Sequence, residues 1–175
     1  MTLVRGGRTL FEGLSFALGP GDTLQLMGPN GSGKSSLLRL AAGLLRAEAG
    51  RIDRSALALA DDKPALDAER PLGSALRFWT GRDPLPAMTA LGIGTLADVP
   101  VRYLSSGQLR RASLARVVAS QSPLWLLDEP ANALDADGVD RLAAIIAEHR
   151  AKGGAVIAAT HVPLAGEWRR LELGR

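Results

Sequence analysis

Cysteine is absent from the 175 residues of this chain. Its absence excludes disulfides, iron–sulfur clusters and zinc sites held by cysteine, and it suits a reducing compartment. Long hydrophobic runs are absent too, since none approaches the roughly 18 residues that a membrane-spanning helix needs. The apolar stretch at the amino terminus is too short for a signal peptide. We therefore expect a soluble chain that is not exported by a signal of its own.

Charge of one sign is not concentrated anywhere in the chain. The formal net charge is +3, from 21 Lys and Arg against 18 Asp and Glu. Basic and acidic residues are interleaved, which is typical of a solvated surface rather than of a nucleic-acid patch. We therefore expect no nucleic-acid partner. Repeats and heptads are missing as well, which excludes a solenoid and a coiled coil.

Strand and helix patterns alternate along the chain. Apolar runs predict strands at 14–18, 23–27, 55–60, 124–127 and 155–159, with a last short one at 171–173. Gly19-Pro20-Gly21-Asp22 is a turn composition that joins the first two strands. Helical spacing predicts helices at 35–45, 106–119 and 138–150. The five prolines between 61 and 100 indicate a small, mostly helical insert. This alternation predicts an α/β fold with a mostly parallel sheet.

A glycine-rich loop between the strand at 23–27 and the helix at 35–45 matches the Walker A pattern, G-x-x-x-x-G-K-[ST]. Its glycines let backbone N–H groups converge on phosphate oxygens, and the following helix directs its positive end at the same anion. Lys34 would reach the β- and γ-phosphates, and Ser35 would offer its hydroxyl to Mg²⁺. The predicted nucleotide-binding residues are Gly28, Pro29, Asn30, Gly31, Ser32, Gly33, Lys34, Ser35 and Ser36. The loop predicts that the chain binds a nucleoside triphosphate.

The apolar strand at 124–127 ends in two adjacent acids. Asp128 would leave the carboxyl end of that strand beside the phosphate loop, where it could hold Mg²⁺ through water. Glu129 would polarise the attacking water as a general base. Alone, such a pair is a weak signal because acids often mark strand ends. The Walker A loop upstream favours the catalytic interpretation.

Three further motifs resemble those of the ABC ATPase family. Residues 104–108, Leu-Ser-Ser-Gly-Gln, resemble its signature L-S-G-G-Q; Ala133-Leu134-Asp135 resembles its D-loop, and Thr160-His161 its switch histidine. The resemblance implies that Ser105, Ser106, Gly107 and Gln108 cap the nucleotide of a second subunit. It also implies that Asp135 contacts that subunit and that His161 touches the γ-phosphate. The alternative for the signature is a Ser/Gly N-cap before a basic helix.

The resemblance covers nearly the whole chain and implies one ABC ATP-binding domain. Its fold would be a P-loop NTPase core with a mostly parallel sheet, an antiparallel β portion at the amino terminus and a small helical insert. Residues 1–60 and 120–175 would form the nucleotide-binding core. Residues from about 61 to 119 would form the helical subdomain that carries the signature.

Two positions depart from the family pattern. Arg5 stands about where the family has an aromatic residue that stacks on adenine, and Phe11 is expected in the core. A guanidinium can stack on a base, with less selectivity for adenine. Between Ala41 and Ser106 there is no glutamine, so Asp62 or Lys63 occupies the place of the Q-loop residue that ligates Mg²⁺.

Within the family, the chain resembles the ATP-binding subunits of the bacterial cytochrome c maturation, or haem exporter, system. The resemblance rests on residues 8–16, the short insert and the ending Thr160-His161-Val162-Pro163-Leu164. It implies Mg²⁺ with ATP as cofactor, a homodimer and an integral membrane partner of the CcmB type. It also implies a peripheral place on the cytoplasmic face of the inner membrane. With His149 and His161 as the only histidines and no Cys-x-x-Cys-His, we expect no direct haem ligation.

Other functions of an ABC protein stay open at this point. The chain could serve another small-substrate exporter, or it could be a weakly hydrolysing regulatory module. Translation and repair members of the family carry paired domains or coiled-coil insertions, which this sequence lacks. Phe78 and Trp79 in the insert are either contacts for a membrane partner or part of the core of the insert.

The replaced glutamine generates a first prediction. A protonated lysine cannot ligate Mg²⁺, so we expect slow, weakly coupled hydrolysis in the wild-type chain. The Lys63→Gln variant should hydrolyse ATP faster than wild type when the membrane partner is present, as measured by steady-state phosphate release. An unchanged rate would count against a Q-loop role for this position.

Overall fold

A five-stranded parallel sheet is the centre of the computed structural model, which describes residues 1–61 and 63–174. Its strands are β3 (Thr23–Met27), β4 (Leu57–Ala60), β5 (Leu124–Asp128), β6 (Ala155–Ala159) and β7 (Arg169–Glu172). They lie in the order β4-β5-β6-β3-β7, and every neighbouring pair is parallel. The predicted α/β fold with a mostly parallel sheet is confirmed.

The inner strands are apolar because both faces of the sheet are covered. Trp125 and Leu127 of β5 pack into one hydrophobic cluster, whereas Leu126 between them packs into another on the opposite face. Val156 and Ile157 of β6 divide between the clusters in the same way. Successive side chains of a strand point to opposite faces, so a doubly covered strand needs an unbroken apolar run.

The antiparallel portion exists, but it is not formed by the predicted strand. β1 (Leu3–Arg5) pairs antiparallel with β2 (Arg8–Phe11) through a turn in which Gly6 and Gly7 have φ values of 57° and 74°. A Gly-Gly pair between two short strands is a hairpin signal. The prediction of a strand at 14–18 was wrong, since this segment is neither strand nor helix in the described chain. Its alternating apolar residues pack against the second hydrophobic cluster without a paired strand beside them.

Two helices flank the sheet with ends that differ from the predicted ones. Helix α1 (Lys34–Ala41) stops short of residue 45 because Gly43, with φ 78°, reverses the chain, an ending that glycine favours. Helix α5 covers Ala136–Ala151. It begins before Gly138, the predicted first residue, because Asp135 caps it. Its buried face contains Leu142 and Ile146, whereas Val139 is exposed.

The residues between β4 and β5 are helical, as the proline-rich pattern predicted. They form α2 (Leu72–Thr80), α3 (Leu85–Ala90), two short 3₁₀ turns at Gly94–Leu96 and Val101–Tyr103, and α4 (Ser106–Ser120). Deeply buried apolar side chains of this region include Leu72, Leu76, Met88 and Leu91. Within residues 1–61 and 63–174, no helix has the length and hydropathy to cross a membrane.

A half-buried imidazole packs against a strand of the sheet. His149 of α5 stacks on Trp125 with ring centroids 3.7 Å apart and an angle of 7° between the planes. A Cβ at Gly154 would lie 2.2 Å from the imidazole, so only glycine fits there. The Nε2 atom of His149 is buried and has no hydrogen-bond partner. Desolvation lowers the pKa of His149 below its ordinary value of 6.5.

This histidine makes stability depend on pH. Because its pKa is lowered by folding, the imidazole takes up a proton at a lower pH in the folded chain than in the unfolded chain, where it does so below about pH 6.5. The free energy of unfolding should therefore be largest above that value and should fall as the pH drops toward the lowered folded-state pKa. Urea unfolding at about pH 7.5 and pH 5.5 should show the fall in wild type, and the fall should be smaller in His149→Phe.

The control is His161→Gln, which removes the other histidine and should keep the wild-type fall. Equal pH dependence in wild type and His149→Phe would contradict the assignment to His149.

Candidate nucleotide-binding site

The glycine-rich loop that follows β3 adopts backbone conformations that side chains rarely allow. Gly28, Gly31 and Gly33 have φ values of 137°, 79° and 100°. A Cβ at Gly28 would lie 2.4 Å from the carbonyl oxygen of Leu173. A Cβ at Gly174 would lie 2.9 Å from the Cβ of Ser32. The loop therefore rests on the last strand and its continuation, and its glycines are required by close packing as well as by the turns.

The lysine of the loop lies against the loop itself. Lys34 is 8% exposed, and its ammonium donates to the carbonyls of Gly28 at 2.7 Å and Pro29 at 3.1 Å. Ser32 and Ser36 are buried, while Asn30 at the tip of the loop is exposed. Because Lys34 begins α1, its charge lies at the amino-terminal end of that helix. The positive charge of Lys34 and the amino terminus of the helix both attract an anion to the loop.

A hydroxyl and a carboxylate meet beside this loop. The Ser35 hydroxyl donates to Asp128 Oδ1 at 3.0 Å, which joins the start of α1 to the carboxyl end of β5. Hydroxyl and carboxylate oxygens are ligands that suit Mg²⁺. In residues 1–61 and 63–174, no group of three or more His, Cys, Asp or Glu side chains could hold a metal. Two protein oxygens completed by phosphate and water are the arrangement that Mg²⁺ commonly takes.

The glutamate after Asp128 is held in an uncommon conformation. Glu129 has φ 46°, and its backbone N–H donates to the Ala159 carbonyl at 2.7 Å. Its Oε1 lies 3.1 Å from Nδ1 of His161, whereas its Oε2 is buried without a partner. Non-glycine residues at positive φ cluster at functional sites. The two predicted catalytic residues are therefore in contact.

The loop that carries His161 is fixed from the sheet by residues that sequence reasoning did not single out. Gln25 in the middle of β3 is 3% exposed and donates from Nε2 to the Val162 carbonyl at 3.2 Å. Thr160, 1% exposed, accepts from the Val162 N–H at 3.1 Å. A buried amide in an otherwise apolar strand needs a partner. A glutamine between two leucines of the strand was the available signal.

The signature segment forms the start of α4. Ser105 is the N-cap, and it exchanges hydrogen bonds with Gln108 in a capping box. The alternative interpretation, an N-cap before a basic helix, is thus confirmed as the local structure of these residues. A Cβ at Gly107 would lie 2.8 Å from the carbonyl oxygen of Ala133, so the signature packs closely on the D-loop of its own chain.

The aspartate of the D-loop is engaged within the chain. Asp135 Oδ1 accepts from the Gly138 N–H at 2.9 Å and contacts the guanidinium of Arg111. These two donors lower the pKa of Asp135, the backbone N–H contributing more. Arg111 also binds Asp137 at 3.2 Å. The D-loop and the first turns of α4 are therefore linked by an ion pair as well as by the Gly107 contact.

One cavity of about 380 Å³ brings several of the predicted residues together. Its lining includes Ser35, Ser106, Asp128 and Glu129, together with Asp61 and Arg110. Asp62, one of the two Q-loop positions that the sequence proposed, lies outside the described residues. The other, Lys63, is exposed and is absent from the lining. Asp61 and Arg110 were missed because neither belongs to a family motif.

Arg5 and Phe11 lie in different environments. Arg5 is exposed, and its guanidinium lies 3.4 Å from the Ser36 hydroxyl at the start of α1. Phe11 is 8% exposed within a hydrophobic cluster, so the prediction that it belongs to the core is confirmed. Arg5 is therefore the side chain that β1 brings to the phosphate loop.

Comparison with known proteins identifies the family. The family profile described as ABC transporter matches residues 11–132. The chain belongs to the ABC transporter family, in the CcmA group. This ABC chain is 55% identical to the cytochrome c biogenesis ATP-binding export protein CcmA of Sphingopyxis alaskensis, over 93% of this chain and 87% of that protein. The protein of the same name from Novosphingobium aromaticivorans is 53% identical, over 93% and 86%.

Solved structures agree on the fold of this ABC chain. One is an ATP-binding subunit of an ABC transporter, which superposes on this chain with a TM-score of 0.85. The two sequences are 21% identical, and the superposition covers 92% of this chain and 77% of that one. The ADP conformation of MJ1267, an ATP-binding cassette of an ABC transporter, superposes with a TM-score of 0.73 at 20% sequence identity. That superposition covers 93% of this chain and 79% of the cassette. The P-loop NTPase fold is thereby confirmed. The chain is an ABC ATP-binding subunit that hydrolyses ATP.

The Gly107 contact generates a prediction for this ABC ATPase. In Gly107→Ala the new methyl group should displace the carbonyl of Ala133, and hence the D-loop, so kcat for ATP should fall by at least about tenfold. Stability should not fall in parallel, because alanine favours a helix over glycine by about 1 kcal/mol. Steady-state hydrolysis and thermal unfolding measure the two effects.

Gly19→Ala is the matched control, because a Cβ at Gly19 would lie 3.7 Å from Oδ2 of Asp22, an ordinary contact distance. Its kcat should stay within about twofold of wild type. A Gly107→Ala variant with wild-type kcat would show that the contact is not needed.

Proposed function

We propose that the chain is the ATP-binding subunit of a cytochrome c maturation complex. ATP hydrolysis there would be coupled to haem delivery or to release of a haem-loaded chaperone. The observation that carries the proposal is 55% identity, over nearly the whole chain, to a protein named for cytochrome c biogenesis and export. The chain would act as one ABC unit, with residues 61–119 as its helical part.

The chemistry proposed for the site follows from its geometry. Amides of residues 28–35 and the Lys34 ammonium would hold the β- and γ-phosphates at the amino terminus of α1. The free, buried Oε2 of Glu129 would accept a hydrogen bond from the attacking water and take its proton. His161, 3.1 Å from Oε1, would orient that carboxylate and contact the γ-phosphate.

Magnesium fits the donors that the chain offers. Ser35 and Asp128 would hold it, and Ser35 would turn its hydroxyl oxygen from Asp128 toward the ion. When bound, Mg²⁺ neutralises charge on the phosphates and thereby assists departure of the leaving group. Asp128 would keep its carboxylate ionised beside the ion, while Glu129 performs the proton transfer.

A second copy of the chain would complete the site. Ser105, Ser106, Gly107 and Gln108 would meet the γ-phosphate bound by the partner, through the amino terminus of α4. Ser105 and Ser106 are accessible, and Gln108 is half-buried against the cap. Asp135 is 70% exposed on its side chain despite its intramolecular bonds, which leaves it able to contact the other subunit.

The membrane partner would dock on the helical insert. Phe78 is 72% exposed and Trp79 50%, so the pair is not the core of the insert. With Leu66 and Ala75 they line a cavity of about 350 Å³ on that surface. An exposed apolar patch of this kind is typical of an interaction site. We propose a CcmB-like integral membrane subunit as its partner, which places the chain on the cytoplasmic face of the inner membrane.

Direct haem ligation is not part of the proposal. His149 is stacked between Trp125 and Gly154, and the proposed role of His161 is at the γ-phosphate. A shift of the Soret band on adding haem, abolished by replacing His149, would contradict this.

Replacing the proposed base tests the chemistry. In Glu129→Gln the amide cannot take a proton, so kcat should fall by roughly 10²- to 10⁴-fold while ATP still binds through the untouched phosphate loop. Steady-state hydrolysis and equilibrium binding of a fluorescent ATP analogue measure the two quantities. Glu148→Gln is the control, because Glu148 is exposed and pairs with Lys152 on the surface. Undiminished hydrolysis in Glu129→Gln would exclude Glu129 as the base.

The cargo is tested in a bacterium that lacks its own cytochrome c maturation ATPase. The wild-type chain should restore covalent haem in periplasmic cytochromes, detected by haem staining, and Glu129→Gln should not restore it at equal expression. Failure of the wild-type chain, with co-purification of a different membrane subunit, would indicate another small-substrate exporter instead.

A further inference from the structure

An arginine of α4 holds three backbone carbonyls in two segments of the catalytic cavity. Arg110 donates from Nη1 to the Asp61 carbonyl at 3.1 Å and from Nε to the Pro130 carbonyl at 3.4 Å. Its Nη2 donates to the carbonyl of Asp128. The carbonyl of Asp61 follows the end of β4, that of Asp128 ends β5, and that of Pro130 follows Glu129. One guanidinium therefore fixes the loop after β4 relative to both acids.

The shape of the arginine head explains why one residue can do this. The guanidinium is planar and presents donors in a fixed fan, so it can satisfy three carbonyls that diverge from one point. Backbone carbonyls at the ends of parallel strands lose their ladder partners and need others where water is excluded. A lysine has donors on a single atom and cannot reach the same three acceptors together.

A second arginine continues the connection toward the insert. Arg116 donates from Nη2 to the Leu59 carbonyl of β4 at 2.7 Å. Its guanidinium carbon lies 5.3 Å from the ring centroid of Trp79 on α2. Burial lowers the pKa of Arg116, and the nearby Asp61 opposes that shift. The end of β4 and the loop after it are thus each held by α4 at one point, and the point in β4 lies near an exposed aromatic of the insert.

We infer that Arg110 is a positioning residue for ATP hydrolysis. It fixes the Asp128–Pro130 turn, and hence the Glu129 carboxylate, to α4 and to the loop after β4. In a chain without a glutamine between residues 41 and 106, this backbone connection links the insert to the water-activating carboxylate. The inference rests on the proposed role of Glu129 and adds the group that orients it.

The test separates positioning from binding. Arg110→Met should lower kcat by about tenfold or more, because it removes the hydrogen bonds that a charged donor makes to the loop. The affinity for a fluorescent ATP analogue should change by less than about threefold. Arg110→Lys should give an intermediate kcat because it keeps the charge and one or two of the bonds. Amide hydrogen exchange should quicken in residues 129–132 of Arg110→Met and stay unchanged in residues 28–35.

Arg141→Met is the matched control. Arg141 pairs with Asp137 at 2.8 Å on the exposed side of α5, away from the cavity, and its variant should keep kcat within about twofold. If Arg110→Met fails to fold, Arg110→Lys carries the test alone.

Two outcomes would overturn the inference. The first is a wild-type kcat in both Arg110 variants. The second is a loss of ATP affinity that parallels the loss of kcat, as general destabilisation would produce. Glu129→Gln measured alongside keeps the proposals distinct. If Glu129→Gln is inactive and Arg110→Met is active, the inference alone fails; if Glu129→Gln is active, the proposed function fails first.

Discussion

The site depends on bringing the start of α1 beside the end of β5, and in this structure the hydrogen bond between the Ser35 hydroxyl and Asp128 joins the two. It spans the distance from the first turn of α1 to the end of β5, two strands away from β3 in the sheet. Parallel strands present their carboxyl ends at one edge, so the phosphate loop, the acids and the His161 loop meet there by topology. The buried, doubly covered sheet holds that edge rigid, since neither β5 nor β6 can shift without opening a core.

Around that edge, backbone carbonyls are used as much as side chains. Lys34 contacts the carbonyls of its own loop, Gln25 holds that of Val162, and Arg110 holds three more. Each cation or amide fixes a loop whose sequence is free to vary, because the acceptor belongs to the main chain. A side-chain change in such a loop therefore leaves the acceptor in place.

The sequence predicted the strands of the parallel sheet, because the inner ones are apolar runs that only a doubly covered sheet accommodates. The prediction failed at 14–18, where alternation of apolar residues indicates a buried face but not a hydrogen-bonded neighbour. The signal for the true hairpin is the Gly6-Gly7 pair. Asp61 and Arg110 could not be found from spacing, since their roles come from carbonyls that only folding brings together. The exposure of Phe78 and Trp79 likewise depends on how the insert packs.

The carboxyl-terminal end of the chain lies directly under the phosphate loop. The carbonyl of Leu173 leaves no room for a Cβ at Gly28, and Ser32 leaves none at Gly174. Residues that are distant in sequence from Walker A thus set the curvature of its backbone. A side chain introduced at position 174 would therefore deform the phosphate loop at Ser32, so a substitution outside every motif would alter the nucleotide site.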